Sequence, residues 1–284
     1  MPRWLLPERL EILWPALEEP DTTVYAGGTD VLVKLRAGSK SPRQLICLER
    51  IPELQGIEDR VDGVLIKAGT THARIAADPL IQARFPILVQ ALNVLGSPPI
   101  RNMGTIGGNI CSASPAGDSL PPLYVLEAEV ELCSRTAARR LPIRDFIQGP
   151  GQTALGPGEI LIGVWISKNQ RFSRQYYEKV GQRKALAIAI VSLAALLDLD
   201  SEGLVADIRL AWGSVGPTVV TAPAVEAGLR GRPLTLAALQ KAAAEARRAV
   251  APIDDVRATA EYRREVAGNL LHRLSLLAEN GRRP

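Results

Sequence analysis

The chain has 284 residues, about two domains at ~150 residues each and enough to build sizeable hydrophobic cores. Hydrophobic residues make up 46% and charged residues 23%, ordinary globular proportions that exclude a disordered chain, a collagen and a coiled coil. Lys and Arg number 34 against 30 Asp and Glu, a balance of +4 with no long basic run, so nothing marks a nucleic-acid surface.

The first twenty residues set prolines and acids where a signal peptide needs an unbroken apolar stretch, and a cytoplasmic location is expected. Within residues 7–19, Leu10, Leu13 and Leu17 recur at helical spacing up to Pro20. An extended Thr22–Ala26 follows, then a Gly27-Gly28 turn and a helix from Val31 to Arg36. Arg43–Leu48 and Val64–Ala68 read as short strands, with one helical turn at Ile51–Leu54 between them. Thr71 is a candidate N-cap for a helix starting at His72, and Phe85–Leu95 is a second apolar helix. Residues 96–122, dense in Gly, Ser, Pro and Asn, read as one long loop, and loops of that length inside a domain are usually functional. Leu123–Leu132 and Glu159–Ile166 return to strand texture.

After residue 170 the texture changes. Phe172–Val180, Ala185–Leu199 and Leu204–Ser214 read as three antiparallel strands. Leu236–Val250 is an alanine-rich helix. Thr259–Leu277 places Tyr262, Val266, Leu270, Leu274 and Leu277 on one stripe, with arginines opposite. A boundary near residue 171 is expected, with an α+β domain before it and a sheet packed on helices after it. The longest apolar run, Ala185 to Leu197, is too short to cross ~30 Å of hydrocarbon, so no membrane span is expected. Cys47, Cys111 and Cys133 are too few and too scattered for a disulfide framework or an iron–sulfur cluster. With His72 and His272 the only histidines, no metal site is expected.

The chemistry concentrates in two glycine-rich loops. In Tyr25-Ala26-Gly27-Gly28-Thr29-Asp30 a strand turns tightly into a helix, where exposed backbone N–H groups suit a phosphate. Ile100 to Asn109, continuing to Ser114-Pro115-Ala116-Gly117-Asp118, offers a second set of backbone donors, two hydroxyls, an amide and a carboxylate. Neither loop matches the P-loop or G-x-G-x-x-G pattern. Taken together they suggest a long ligand gripped at two places, such as a dinucleotide with its central pyrophosphate.

The run Ala26-Gly27-Gly28-Thr29-Asp30, then Arg101-Asn102 and Gly104-Thr105-Ile106-Gly107-Gly108-Asn109, then Ala113-Ser114-Pro115 with Gly117-Asp118, resembles the FAD-binding medium subunit of the molybdenum hydroxylases. These are the xanthine dehydrogenase and carbon monoxide dehydrogenase family. The likeness continues at Gly158–Leu161, Tyr177–Val180 and Arg183–Ile188, and so covers nearly the whole chain. The fold it implies is α+β: a two-subdomain, PCMH-type FAD-binding domain over 1–170, then a three-stranded antiparallel sheet packed on helices over 171–284.

The resemblance implies that Val24, Tyr25, Ala26, Gly27, Gly28, Thr29, Asp30 and Val31 wrap the FAD pyrophosphate. It implies a second backbone cradle at Thr105, Ile106, Gly107, Gly108 and Asn109. Asp118 is expected to accept hydroxyls of the cofactor, Leu95 and Leu161 to flank it, and Lys179 to lie near the flavin. Each has a plainer alternative: a helix cap for Asp30, core packing for Leu95 and Leu161, a solvent-facing strand position for Lys179. Arg101 could meet a phosphate or an acid nearby, and Tyr176 and Tyr177 could gate the flavin or simply pack. No catalytic side chain is implied. Molybdopterin and [2Fe–2S] clusters are expected only in a large and a small partner subunit, with electrons leaving FAD for an external acceptor. A hetero-oligomer is expected, with a dimer of heterotrimers as one form. Two rival readings remain: a self-contained FAD-dependent reductase using a nicotinamide donor, and a non-redox nucleotide-binding scaffold.

Overall fold

The structure, a computed structural model, describes residues 2–39, 41–170, 172–183 and 185–279. Arg171, at the expected boundary, and Lys184, in the Arg183–Ile188 motif, lie outside the described residues. The chain divides into two compact units that interleave in sequence. One comprises Met1–Leu80, Ser97–Ala113 and Glu127–Lys168; the other comprises Ile81–Gly96, Ser114–Leu126 and Asn169–Pro284.

In the first unit a three-stranded parallel sheet has Gln44–Cys47 at its centre, between Arg3–Leu5 and Thr22–Tyr25. The central strand is buried along its whole length, as parallel strands usually are. Leu13, Ile46, Ile51, Leu54 and Ile160 form a core beside it. The register Val24↔Ile46 and Tyr25↔Cys47 brings the first glycine loop out at the carboxyl ends of these strands, where open sheets commonly bind ligands. A five-stranded antiparallel sheet runs Ile57–Asp59, Gly63–Lys67, Ile160–Ser167, Glu129–Cys133, Ala138–Pro142.

The stretch read as one long loop is instead built from three short helices, Pro98–Met103, Ile106–Ser112 and Leu120–Val125. Its Gly and Pro content argues against helix, but the ends are fixed locally. Ser97 Oγ accepts the Ile100 N–H and Thr105 Oγ1 the Gly108 N–H, while prolines occupy the first turns at Pro98-Pro99 and Pro121-Pro122, where their missing N–H costs nothing. Leu123–Val125 therefore belongs to a helix, and the strand expected there starts at Glu129.

In the second unit Arg174–Val180, Val191–Leu199 and Val205–Gly213 pair antiparallel, and a two-residue strand, Val220–Thr221, extends them. Residues 185–190 precede the middle strand rather than forming part of it. Side chains alternate across the sheet. Val191, Leu193, Ala195 and Leu197 join Trp212 in a core with the helices Leu236–Ala249 and Ala260–Asn269. The second of these passes into a 3-10 turn at Leu270–Arg273, which interrupts the single helix expected over 259–277. The edge strand Arg174–Val180 is covered by the helix Pro86–Val94, where Gln90 accepts the Tyr177 N–H at 2.7 Å and donates to the Gln175 carbonyl at 3.3 Å.

Trp212 is fully buried and donates its Nε1–H to the Ala267 carbonyl at 3.0 Å. Trp212→Ala should lower stability by about 3–5 kcal/mol through cavity formation, measured by urea unfolding. His72 is buried, donates its backbone N–H to Gly104, and is pushed down to about 4, first by burial and then by the Arg101 charge. The folded chain thus holds His72 neutral while the unfolded chain protonates it below its ordinary pKa of about 6.5. Stability from this group is complete above that value and falls as pH drops toward 4, by up to about 3 kcal/mol. Unfolding across this range should show the wild type losing that much relative to His72→Gln, and parallel profiles would refute it.

Candidate functional site

In the first unit, Thr22–Tyr25 ends in a turn that only glycines can make. Gly28 has φ +70°, and a Cβ on Gly27 would lie 1.7 Å from the Met103 carbonyl oxygen. The turn closes through Leu32 N–H to the Gly28 carbonyl at 3.0 Å. Among the described residues, the amides of Gly27, Gly28, Thr29 and Asp30 donate to no protein atom. They form a row of exposed N–H groups leading into the helix Val31–Arg36, an arrangement that suits an anion. Asp30 occupies the N-cap position without capping; its carboxylate accepts from Lys34 at 2.7 Å and from Ser112 Oγ at 3.1 Å.

The second glycine segment contributes something different from the donors expected of it. Ile106 N–H goes to the Thr70 carbonyl at 3.1 Å, Gly107 N–H to Ala68 at 2.9 Å, and Asn109 N–H to Thr105 at 3.0 Å. Gly108 N–H goes to Thr105 Oγ1 at 3.2 Å. These amides are taken, because Thr105 starts a helix that docks on the Ala68–Thr70 turn. The two glycines serve separate ends. A Cβ on Gly107 would sit 2.6 Å from Ala68 Cβ, whereas one on Gly108 would meet only Thr105 Oγ1, at 3.1 Å. Gly107 is required for packing, and Gly108 leaves an open surface.

Both segments line one cavity of about 150 Å³. Val24, Tyr25 and Ala26 come from the first, Thr105, Gly107, Gly108 and Cys111 from the second, and Leu161 with Ile160 from the strand opposite. Pockets that hold a whole ligand run to roughly 300–1,000 Å³, so this one suits a single section of a longer molecule. Its titratable groups are neutral or already paired. Tyr25 is raised to about 12 by burial and a neighbouring Cys47, and burial raises the Cys111 thiol to about 12. Glu159 is held below its usual range by Arg139, 2.7 Å away. The carboxylate that lines the cavity, Glu159, is therefore already paired.

In the second unit, alternation puts Tyr177 and Lys179 on the face turned away from the helical core. Lys179 Nζ donates to Asp118 Oδ2 at 2.6 Å and to the Val94 carbonyl at 3.0 Å, and Tyr177 OH donates to Asp118 Oδ1 at 3.2 Å. The Lys179 and Asp118 side chains are each 7% exposed. Burial raises the Asp118 carboxyl above its ordinary value, with Lys179 and then Tyr177 pulling it back. Burial, with the Asp118 charge added, raises the Tyr177 phenol well above its usual range. Lys179 also borders a cavity of about 350 Å³ with Val94, Gly181 and Arg183. It is therefore not a solvent-facing strand lysine.

The structure thus gathers Val24–Ala26, Thr105–Gly108 and Leu161 in one unit, and Asp118 with Lys179 in the other. Leu95 is buried directly after Val94. Sequence reasoning missed the Ala68-Gly69-Thr70 turn, whose Ala-Gly-Thr after a strand was an available signal. It also missed the Val94 carbonyl, which as a backbone group leaves none.

Residues 1–168 match the family described as FAD binding domain in molybdopterin dehydrogenase, and residues 175–278 match the CO dehydrogenase flavoprotein C-terminal domain. The chain is 33% identical over 254 residues to the xanthine dehydrogenase FAD-binding subunit of Escherichia coli O157:H7, covering 87% of this chain and 85% of that one. It is 31% identical over 253 residues to the carbon monoxide dehydrogenase medium chain of Hydrogenophaga pseudoflava, covering 89% and 88%. A solved chain of the carbon monoxide dehydrogenase from Hydrogenophaga pseudoflava has a similar structure, with a TM-score of 0.92 at 30% identity over 100% of this chain and 98% of that chain. An anion-ready turn within a matched FAD-binding domain, together with relatives similar over most of their length, leads to one assignment: the chain belongs to the FAD-binding medium subunits of the xanthine and carbon monoxide dehydrogenase family, oxidoreductases that depend on molybdenum.

Proposed function

We propose that this chain is the electron-transfer flavoprotein subunit of a heterotrimeric molybdenum hydroxylase. It would take electrons from the [2Fe–2S] clusters of a small partner, after a large molybdopterin-bearing partner has oxidised the substrate, and hand them to an external acceptor. The observation that carries this reading is the row of amides at Gly27 to Asp30, unbonded among the described residues and next in the chain to Val24–Ala26, which share a cavity with Gly107 and Gly108. We further infer a domain boundary near residue 170, supported by family matches that end at 168 and resume at 175.

Bound FAD supplies a carrier that connects one-electron and two-electron donors and acceptors. The residues of the first unit fit its diphosphate. The amides of Gly27 to Asp30 would bind the phosphoryl oxygens, and Gly108 would let the backbone approach them. Asp30 repels them little, because Lys34 and Ser112 already hold its carboxylate. Val24, Tyr25 and Leu161 would keep water from the apolar side. In the second unit, Asp118, Lys179 and Leu95 are assigned to the cofactor on the resemblance. A lysine held at the flavin would favour its reduced, anionic form.

Gly108→Asp, which puts a charged side chain on the open floor, should abolish FAD binding in equilibrium titration while thermal unfolding stays cooperative. Near-full flavin occupancy would refute the placement. Lys179→Met should lower the flavin midpoint potential by on the order of 30 mV, equivalent to a tenfold change for a two-electron couple. An unchanged potential would leave Lys179 a purely structural ion-pair partner. The electron-transfer role is tested by rapid mixing of the FAD-loaded chain with the reduced [2Fe–2S] partner, which should bleach the flavin absorbance. Steady NAD(P)H oxidation by the chain alone would overturn it.

A further inference from the structure

Arg263 lies on the helix Ala260–Asn269, on its buried side with Ala267 and Gly268, and its side chain is 3% exposed. One terminal nitrogen donates to the Ile190 carbonyl at 3.2 Å and the Ser214 carbonyl at 3.0 Å, and the other meets Asp255 at 2.5 Å. Asp255 is fixed in turn by Arg257, which holds its carboxyl well below the usual range. The arrangement is costly. Arg263 Nε and Ser214 Oγ are buried without a partner, and Ser214 is in the left-handed region at φ +65°. Packing alone would be met more cheaply by an apolar side chain.

The two carbonyls belong to segments hydrogen-bonded to those that carry the Asp118–Lys179 pair. Ile190 donates its N–H to the Val180 carbonyl at 2.8 Å, closing the excursion that follows Lys179. Ser214 donates its N–H to the Pro115 carbonyl at 2.9 Å, three residues before Asp118. We propose that Arg263 is a positioning residue, whose guanidinium fixes these two segments and so holds Asp118 and Lys179 in register with each other. This inference rests on the reading that Asp118 and Lys179 act on FAD.

The test uses the full-length chain, with FAD as the probe. Arg263→Met should weaken FAD binding by up to roughly tenfold, the fold-change equivalent of one net hydrogen bond. It should shift the flavin absorbance bands in the same direction as Asp118→Asn. The double variant should be no worse than Asp118→Asn alone, since both act through one pair. Arg263→Lys should recover part of the affinity. Leu239→Ala, in the core of the same unit and outside this network, should lower the thermal midpoint without moving FAD affinity or spectrum. Wild-type affinity and spectrum in Arg263→Met overturn the inference, as do additive effects in the double variant or an equal loss in Leu239→Ala. Should Arg263→Met fail to fold, Asp255→Asn removes the anchoring charge and is read by the same criteria. If Asp118→Asn and Lys179→Met both leave FAD binding and spectrum unchanged, the reading of the pair fails and takes this inference with it. If they act while the Arg263 variants do not, this inference alone fails.

Discussion

The first unit depends on one close approach. A Cβ on Gly27 would stand 1.7 Å from the Met103 carbonyl oxygen, and that obstacle is backbone, so it cannot swing aside. Any other residue would have to push the first loop away from the segment leading into the helix Ile106–Ser112. Gly107 repeats the constraint on the other side, pressed against Ala68 while donating its N–H to the Ala68 carbonyl. Three segments distant in sequence are thus locked by backbone contact before any ligand arrives. A ligand entering such walls loses its own freedom but need not order theirs, which is the thermodynamic advantage of a preorganised site.

Electrostatics follow from that geometry. A backbone turn with free N–H groups offers positive potential with no side chain to titrate, so its attraction for a diphosphate changes little with pH. Two acidic groups near it are already paired, Asp30 with Lys34 and Glu159 with Arg139. Both pairs are partly exposed, and exposed pairs add little stability, a median of about 0–1 kcal/mol. Their effect is to remove negative charge from the neighbourhood of an anion.

The strands of the second unit and the longer helices were legible because their apolar periods were clean, and the first glycine turn because paired glycines between a strand and a helix signal a tight turn; short strands such as Arg3–Leu5, Ile57–Asp59 and Ala138–Pro142 were not. Thr71 was legible as a cap, and its Oγ1 accepts the Arg74 N–H. The short helices of the 98–125 region were not, because their residues individually disfavour helix and the deciding terms are end caps and docking on the 68–70 turn. Lys179 as a solvent-facing strand lysine misled for a different reason. Local periodicity assigns the face away from the main core to solvent, but it cannot see that the helix Pro86–Val94 covers that side of the strand. The likeness of Asp118 and Lys179 to family positions singled each out separately and gave no sign that they bind each other.

That mutual binding alters what Asp118 can do. A free carboxylate would accept a ligand hydroxyl at either oxygen, but here Oδ1 already takes Tyr177 OH and Oδ2 takes Lys179. A carboxylate offers about four lone-pair sites, so acceptor capacity remains on both oxygens. Lys179 has three N–H donors, and Asp118 and the Val94 carbonyl occupy two of them. The pair can therefore offer an incoming polar group one strong donor beside a partly filled acceptor, at a position set by three fixed partners. A buried ion pair is a poor source of stability, since apolar residues of similar volume often do as well or better. What it supplies is a cation that cannot drift, and a redox cofactor's potential responds to the location of charge as much as to its amount.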